Sequence, residues 1–131
     1  MTQVRRVGSG GPWEQLYGYS RAVAAGPLTV TSGSTAMVDG KPAHPGDPGA
    51  QAKEAFRVAL DGLVDAGAGI ADVIRTRMYV TDASYADPVG RVHGELFGVV
   101  KPAATLVVVA GLIHPDLLVE VELEAYRPPR D

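Results

Sequence analysis

The sequence predicts a two-layer α+β sandwich: a mixed sheet with two helices on one of its faces. Three observations predict it. Apolar side chains recur at helical spacing between residues 52 and 64. Two runs, 72–81 and 117–126, alternate with a period of two. The elements follow the order β, β, β, α, β, α, β, β, which places helices between strands of one sheet. With 131 residues, 46% hydrophobic and 21% charged, the chain has room for one domain over residues 1–131.

Gln3–Val7 reads as a short strand ended by Gly8, Gly10 and Gly11. Tyr17–Ala25 and Leu28–Gly33 read as a hairpin about the two-residue turn Gly26-Pro27. Asp39-Gly40 and the proline-rich stretch 41–49 read as a loop. Asp47 before Pro48 marks a helix start, because the carboxylate accepts from free backbone N–H groups and proline at the first helical position loses no needed donor. The stripe Ala52, Ala55, Phe56, Ala59, Leu60, Leu63 and Val64 follows, with Lys53, Glu54, Arg57, Asp61 and Asp65 between, and it ends at Gly67 or Gly69.

In 72–81 the alternation sets Val73, Arg75, Arg77 and Tyr79 on one side and Ile74, Thr76, Met78 and Val80 on the other. Ser84, with Asp87 three residues later, predicts the cap of a second helix. Its stripe is Val89, Val92, His93, Leu96 and Phe97, weakened by Pro88, Gly90 and Gly94. Strands Ala104–Ala110 and Leu117–Tyr126 close the chain around a turn at His114-Pro115-Asp116. In the last strand Val119, Val121, Leu123 and Ala125 face one way and Glu120, Glu122 and Glu124 the other. Arg75, Arg77 and Tyr79 are expected to pair with that glutamate face. The helices cover one side of the sheet and no element remains for the other, which predicts an oligomer.

Composition excludes several functions. The chain has no cysteine, so disulfides, thiolate zinc sites and cysteine nucleophiles are absent. The net charge is −3, and Arg5, Arg6, Arg127 and Arg130 near the termini read as solvated ends, leaving no basic surface for nucleic acid. The longest apolar run, Leu106–Ile113, is too short to span a bilayer, and no apolar stretch follows the N-terminal arginines. No membrane association and a cytoplasmic location are expected. His44, His93 and His114 have no ligand-like spacing, and His93 reads as a packed, hydrogen-bonded residue. There is no P-loop or nucleophile elbow.

Several motifs, in order, resemble the RidA/YjgF family: Tyr19, Thr31-Ser32-Gly33, Gln51 at the helix start, the run Asp72–Asp82 (DVIRTRMYVTD), Lys101-Pro102-Ala103, and Val119–Ala125 (VEVELEA). The resemblance covers nearly the whole chain. It implies a chorismate-mutase-like fold and a homotrimer with small-molecule sites in the clefts between subunits. Members with deaminase activity hydrolyse enamines and imines to keto acids and ammonia, and hold the substrate carboxylate with an arginine in a Pro-Ala-Arg motif. The corresponding residues here are Pro102-Ala103-Ala104, and alanine cannot replace a bidentate cation. The resemblance therefore implies a branch with a different substrate.

It also implies roles for particular residues. Glu120 matches the cleft glutamate that orients or activates water, although spacing alone makes it one of three residues on a polar strand face. Tyr19 matches a cleft tyrosine, and a strand tyrosine is equally a packing residue. Ser32 and Gly33 match a strand end whose backbone approaches ligand, and also suit a turn. Arg21, two residues after Tyr19, would share its face in a strand and supply the cation missing at Ala104; the alternative is a surface arginine or a salt bridge to a glutamate. No metal or organic cofactor is required by this chemistry. The alternative function is a trimer that binds a small metabolite without turnover; RNA cleavage is disfavoured by the acidic balance.

Overall fold

The computed structural model describes residues 3–128, so Arg130 lies outside the described residues. The main sheet is built from β1 (Val4–Val7), β2 (Ala22–Ala25), β3 (Leu28–Thr31), β6 (Val73–Val80), β7 (Ala103–Val108) and β8 (Val119–Tyr126). Its order is β1-β2-β3-β8-β6-β7. The β6/β7 pair is parallel and the others antiparallel. Helices α2 (Pro48–Asp65) and α3 (Ala86–Phe97) pack together on one face, α2 against β8 and β3. The expected mixed sheet with helices on one face is therefore the architecture found.

Most of the differences from the sequence reading are local. Tyr17–Ala25 is not one strand: Pro12–Tyr17 is a short helix, α1, and β2 begins only at Ala22. Proline at its start and Gly18 at its end, with φ 77°, bracket this helix in the usual order. The loop at 39–49 opens with a two-stranded ribbon, β4 (Met37–Val38) and β5 (Lys41–Pro42). Asp39 and Gly40 turn it with φ of 51° and 79°, the positive pair such a tight hairpin requires. Gly26 (φ 60°) makes the expected β2–β3 turn.

Asp47 caps α2 as expected, accepting from the Ala50 N–H at 3.0 Å. Its buried stripe includes Gly62 and leaves Val64 60% exposed. The second helix is not capped by Ser84. Asp82 accepts from the Ser84 N–H and hydroxyl at 2.9 and 2.7 Å, and a 3₁₀ turn at Ala83–Tyr85 leads into α3. The weak residues are tolerated: Pro88 lies in the first turn, and Gly90 and Gly94 face open space.

A register shift between Val73 and Arg75 bulges β6 and overturns the simple alternation at its start. Val73 joins the core at 2% exposure and Ile74 is 48% exposed, whereas Thr76, Met78 and Val80 point inward as read. The core packs Phe56 edge-on against Phe97 at 5.3 Å, with Leu63, Val80, Val89, Val119, Val121 and Leu123 around them. Burying each such side chain contributes about 1.5–3 kcal/mol. His93 packs at 4.8 Å from Phe97, and its Nε2 lies 2.8 Å from Thr76 Oγ1. Burial pushes its pKa down, so it is the packed histidine expected.

Gln51, fully buried, ties two loops to the start of α2. Its amide donates to Ala43 O at 3.0 Å and Asp116 O at 2.8 Å and accepts from the Leu118 N–H at 2.8 Å. Among the described residues no helix is long and apolar enough to cross a membrane.

Candidate functional site

The site begins where β3 leaves β8. Val30 pairs with Glu124, and the next bridge joins Ser34 to Val121. Three residues, Thr31–Gly33, thus face two, Glu122 and Leu123. The ladder is kept by the Thr31 hydroxyl, which accepts from the Leu123 N–H at 3.0 Å. Such a bulge turns the backbone out of the sheet at Ser32 and Gly33.

Glu120 fills the space so made. A Cβ built on Gly33 would fall inside its carboxylate, 2.9 Å from Cδ and 3.3 Å from Cγ. A side chain at this position would have to displace the Glu120 carboxylate. The register sets Arg75, Arg77 and Tyr79 opposite Glu124, Glu122 and Glu120, as expected. Arg77 reaches diagonally to Glu124 at 2.6 Å, and the Tyr79 hydroxyl donates to Glu122, not to Glu120 directly across. Two of the three β8 glutamates are thereby engaged. The Glu120 carboxylate has no hydrogen bond or ion pair among the described residues. Burial, with the charge of Glu122, pushes its pKa up, and Arg21 opposes the rise.

Arg21 donates from Nη2 to Gly33 O at 2.6 Å, and its stem crosses α2 at Gly62, where a Cβ would stand 3.0 Å from Arg21 Cγ. Its Nε is buried with no acceptor among the described residues. Burial lowers its pKa, while Tyr19, Glu14 and Glu120 act in the opposite sense, which puts those three groups in electrostatic reach of the guanidinium. The strand face expected to align Tyr19 with Arg21 does not exist, because both precede β2. Backbone bonds hold them instead: Tyr19 N–H to Glu14 O at 3.0 Å, Arg21 N–H to Val7 O at 2.8 Å, and Ser32 N–H to Arg21 O at 3.0 Å. The Ser32 hydroxyl donates to Ser20 O at 2.6 Å, fastening this segment to the bulge.

Tyr19, Arg21, Ser32, Gly33 and Glu120 are thus brought together. Ala104 is not. It pairs with Thr76, whose side chain is on the helix side of the sheet, whereas Glu120 lies on the open side. Two strand spacings separate β7 from β8, about 10 Å, and three residues along the strands add a further ~10 Å. One protomer alone therefore cannot unite position 104 with Glu120. The sequence reading also missed Glu14 and α1 beside Arg21; Pro12 and Gly18 at its ends were the available signal. Among the described residues no cluster of three or more His, Cys, Asp or Glu could hold a metal ion.

A mixed sheet backed by two helices, with a glycine bulge seating a glutamate, defines the class. The chain belongs to the endoribonuclease L-PSP family, whose sequence model matches residues 13–127. It is 48% identical over 124 residues to the Streptomyces coelicolor protein SCO2049, covering 95% of this chain and 92% of that one. The crystal structure of Rv2704 from Mycobacterium tuberculosis, a member of the YjgF/YER057c/UK114 family, superposes with a TM-score of 0.86 at 45% identity. That match covers 95% of this chain and 99% of that one. The Escherichia coli TdcF structure with bound serine gives a TM-score of 0.76 at 26% identity, over 94% of each chain.

Proposed function

We propose that this protein hydrolyses a small enamine or imine metabolite in clefts between the subunits of a homotrimer. The observation that carries the reading is Glu120: a partly buried carboxylate without a hydrogen-bond or ion-pair partner among the described residues, seated against Gly33 where a side chain would collide with it. A carboxylate with a raised pKa is a stronger base than an ordinary one and can also return the proton. An enamine first takes a proton on carbon to become the imine. Glu120 then accepts a proton from water as the water oxygen bonds to the C=N carbon, and passes that proton on to the nitrogen. Collapse of the carbinolamine breaks the C–N bond as its hydroxyl returns a proton to Glu120, giving ketone and ammonia. Tyr19 positions the substrate, the Ser32-Gly33 backbone walls it, and Arg21 attracts its carboxylate.

The serine bound to TdcF supports a ligand of amino-acid size. The open sheet face carries exposed Val4, Leu28, Val30 and Tyr126 beside the Arg77–Glu124 pair, which supports subunit association there. Association would also provide position 104 from a neighbouring copy, where Ala104 leaves the cleft without the arginine of the 2-iminobutanoate deaminases.

The test is deamination of 2-aminocrotonate, generated by a dehydratase with semicarbazide present, by wild type and Ala104→Arg, with the mass measured by sedimentation. The expected result is a trimer with weak wild-type activity raised by Ala104→Arg. A trimer silent in both forms would make the cleft a binding site without turnover. Wild-type activity that survives Glu120→Gln would remove Glu120 from the mechanism.

A further inference from the structure

We propose that Trp13 and Tyr17 form an aromatic subsite beside the Tyr19–Arg21–Glu120 group, and that the ligand is a small carboxylate bearing a flat aromatic ring. The inference rests on the function proposed above and narrows its substrate class.

Helix α1 buries none of its residues and so has no packing reason to form. Trp13, Leu16 and Tyr17 are 56%, 68% and 66% exposed. A helix this short has no stability of its own. Its ends are nevertheless built in: Pro12 starts it, Gly18 stops it, and the Glu14 carboxylate accepts the Ser9 N–H at 3.0 Å and the Ser9 hydroxyl. What this small frame presents is a pair of rings. Trp13 and Tyr17, four residues apart on one stripe, stack at 5.4 Å between centroids and 4° between planes. Such a pair offers a flat π-surface for another ring.

The frame also joins α1 to the site. Glu14 O accepts both the Gly18 and Tyr19 N–H groups at 2.9 and 3.0 Å, so Tyr19 follows the aromatic turn directly. Glu14 and Tyr19 are in electrostatic reach of Arg21. Arg21 supplies the complementary charge: its Nη2 is held by Gly33 O at 2.6 Å, and its Nη1 has no acceptor among the described residues. A carboxylate satisfies that cation; a flat ring attached to it satisfies the exposed aromatic pair.

Trp13 is the chain's one tryptophan, so its emission reports this subsite directly. The probes are 3-phenylpropanoate and butanoate, titrated by calorimetry and by tryptophan fluorescence. The expected result is about tenfold tighter binding of 3-phenylpropanoate, the ratio one or two aromatic contacts supply, with a change in Trp13 emission. Trp13→Leu/Tyr17→Leu should bring the ratio near one, and Arg21→Gln should weaken both probes. Equal binding of both acids with unchanged emission would overturn the aromatic subsite while leaving the carboxylate site standing. Binding of neither would overturn both readings. If the double variant kept the ratio but lowered the sedimentation mass, α1 would belong to a subunit contact and the proposal would fall.

Discussion

Adding one methyl group at Gly33 tests whether the site is built as described. The new Cβ would lie 2.9 Å from Glu120 Cδ and 3.3 Å from Cγ, with Oε2 closer still. The three nearest atoms it meets all belong to Glu120, and the Gly33 backbone is not in the left-handed region, so the main cost is a clash with that side chain. Overpacking typically costs 1–3 kcal/mol, and a carboxylate that can swing aside puts Gly33→Ala near the lower end, about 1 kcal/mol. Truncating Glu120 removes the obstacle, so Gly33→Ala should be close to neutral in a Glu120→Ala background. Urea unfolding of the four proteins at one fixed concentration measures the difference. Independent sites add to within ~0.3–0.5 kcal/mol, so a coupling of about 1 kcal/mol is resolvable. In the intact background, displacing Glu120 by about 1 Å should lower turnover by ~10²-fold. Equal costs of Gly33→Ala with and without the Glu120 side chain would refute the claim that this carboxylate occupies the bulge.

Two further outcomes are expected. Because burial raises the pKa of Glu120, the folded protein binds more protons than the unfolded chain between the unfolded carboxylate value, about 4.3, and the raised folded value. The wild type should therefore lose stability relative to Glu120→Gln as pH rises through that interval; a flat difference in urea midpoint between pH 4 and 8 would show that Glu120 ionises as it does in water. Gln51→Leu keeps the volume but leaves the Leu118 N–H and the Ala43 and Asp116 carbonyls unpaired, so it should cost about 2–4 kcal/mol. A loss below ~1 kcal/mol would mean that water replaces the amide.

Periodicity carried most of the fold. The stripe of α2 and the alternation of β8 were legible because each buries one face along its whole length, and Asp47-Pro48 named a helix start by a local rule. Reading failed where one residue changed the period. The bulge at Val73/Arg75 exchanges the faces of Val73 and Ile74, and only the register with β8 reveals it. Helix α1 escaped because it buries nothing and so has no stripe. In the site, Glu120, Gly33 and Tyr19 rested on resemblance, since spacing cannot distinguish Glu120 from Glu122 or Glu124. Their difference is tertiary: Tyr79 and Arg77 engage two of them, and Gly33 makes room for the third. Arg21 does not lie on a strand shared with Tyr19; its place comes from the bonds of its backbone to β1 and Ser32.

Strand β7 has one further consequence. It is the last strand of the sheet, Ala103–Val108, and it contains no charge, no proline and no bulge. Val107 and Val108 on it are half exposed, and its outer row of amides and carbonyls has no strand beside it among the described residues. Edges of this kind recruit any extended chain they meet, and proteins ordinarily guard them with lysine or proline. Left uncovered, that border is a pairing surface for an extended chain. The protein's yield in the cell will depend on how fast that border finds cover relative to how fast it finds the wrong neighbour, a race set by synthesis rate and local concentration as much as by folding free energy.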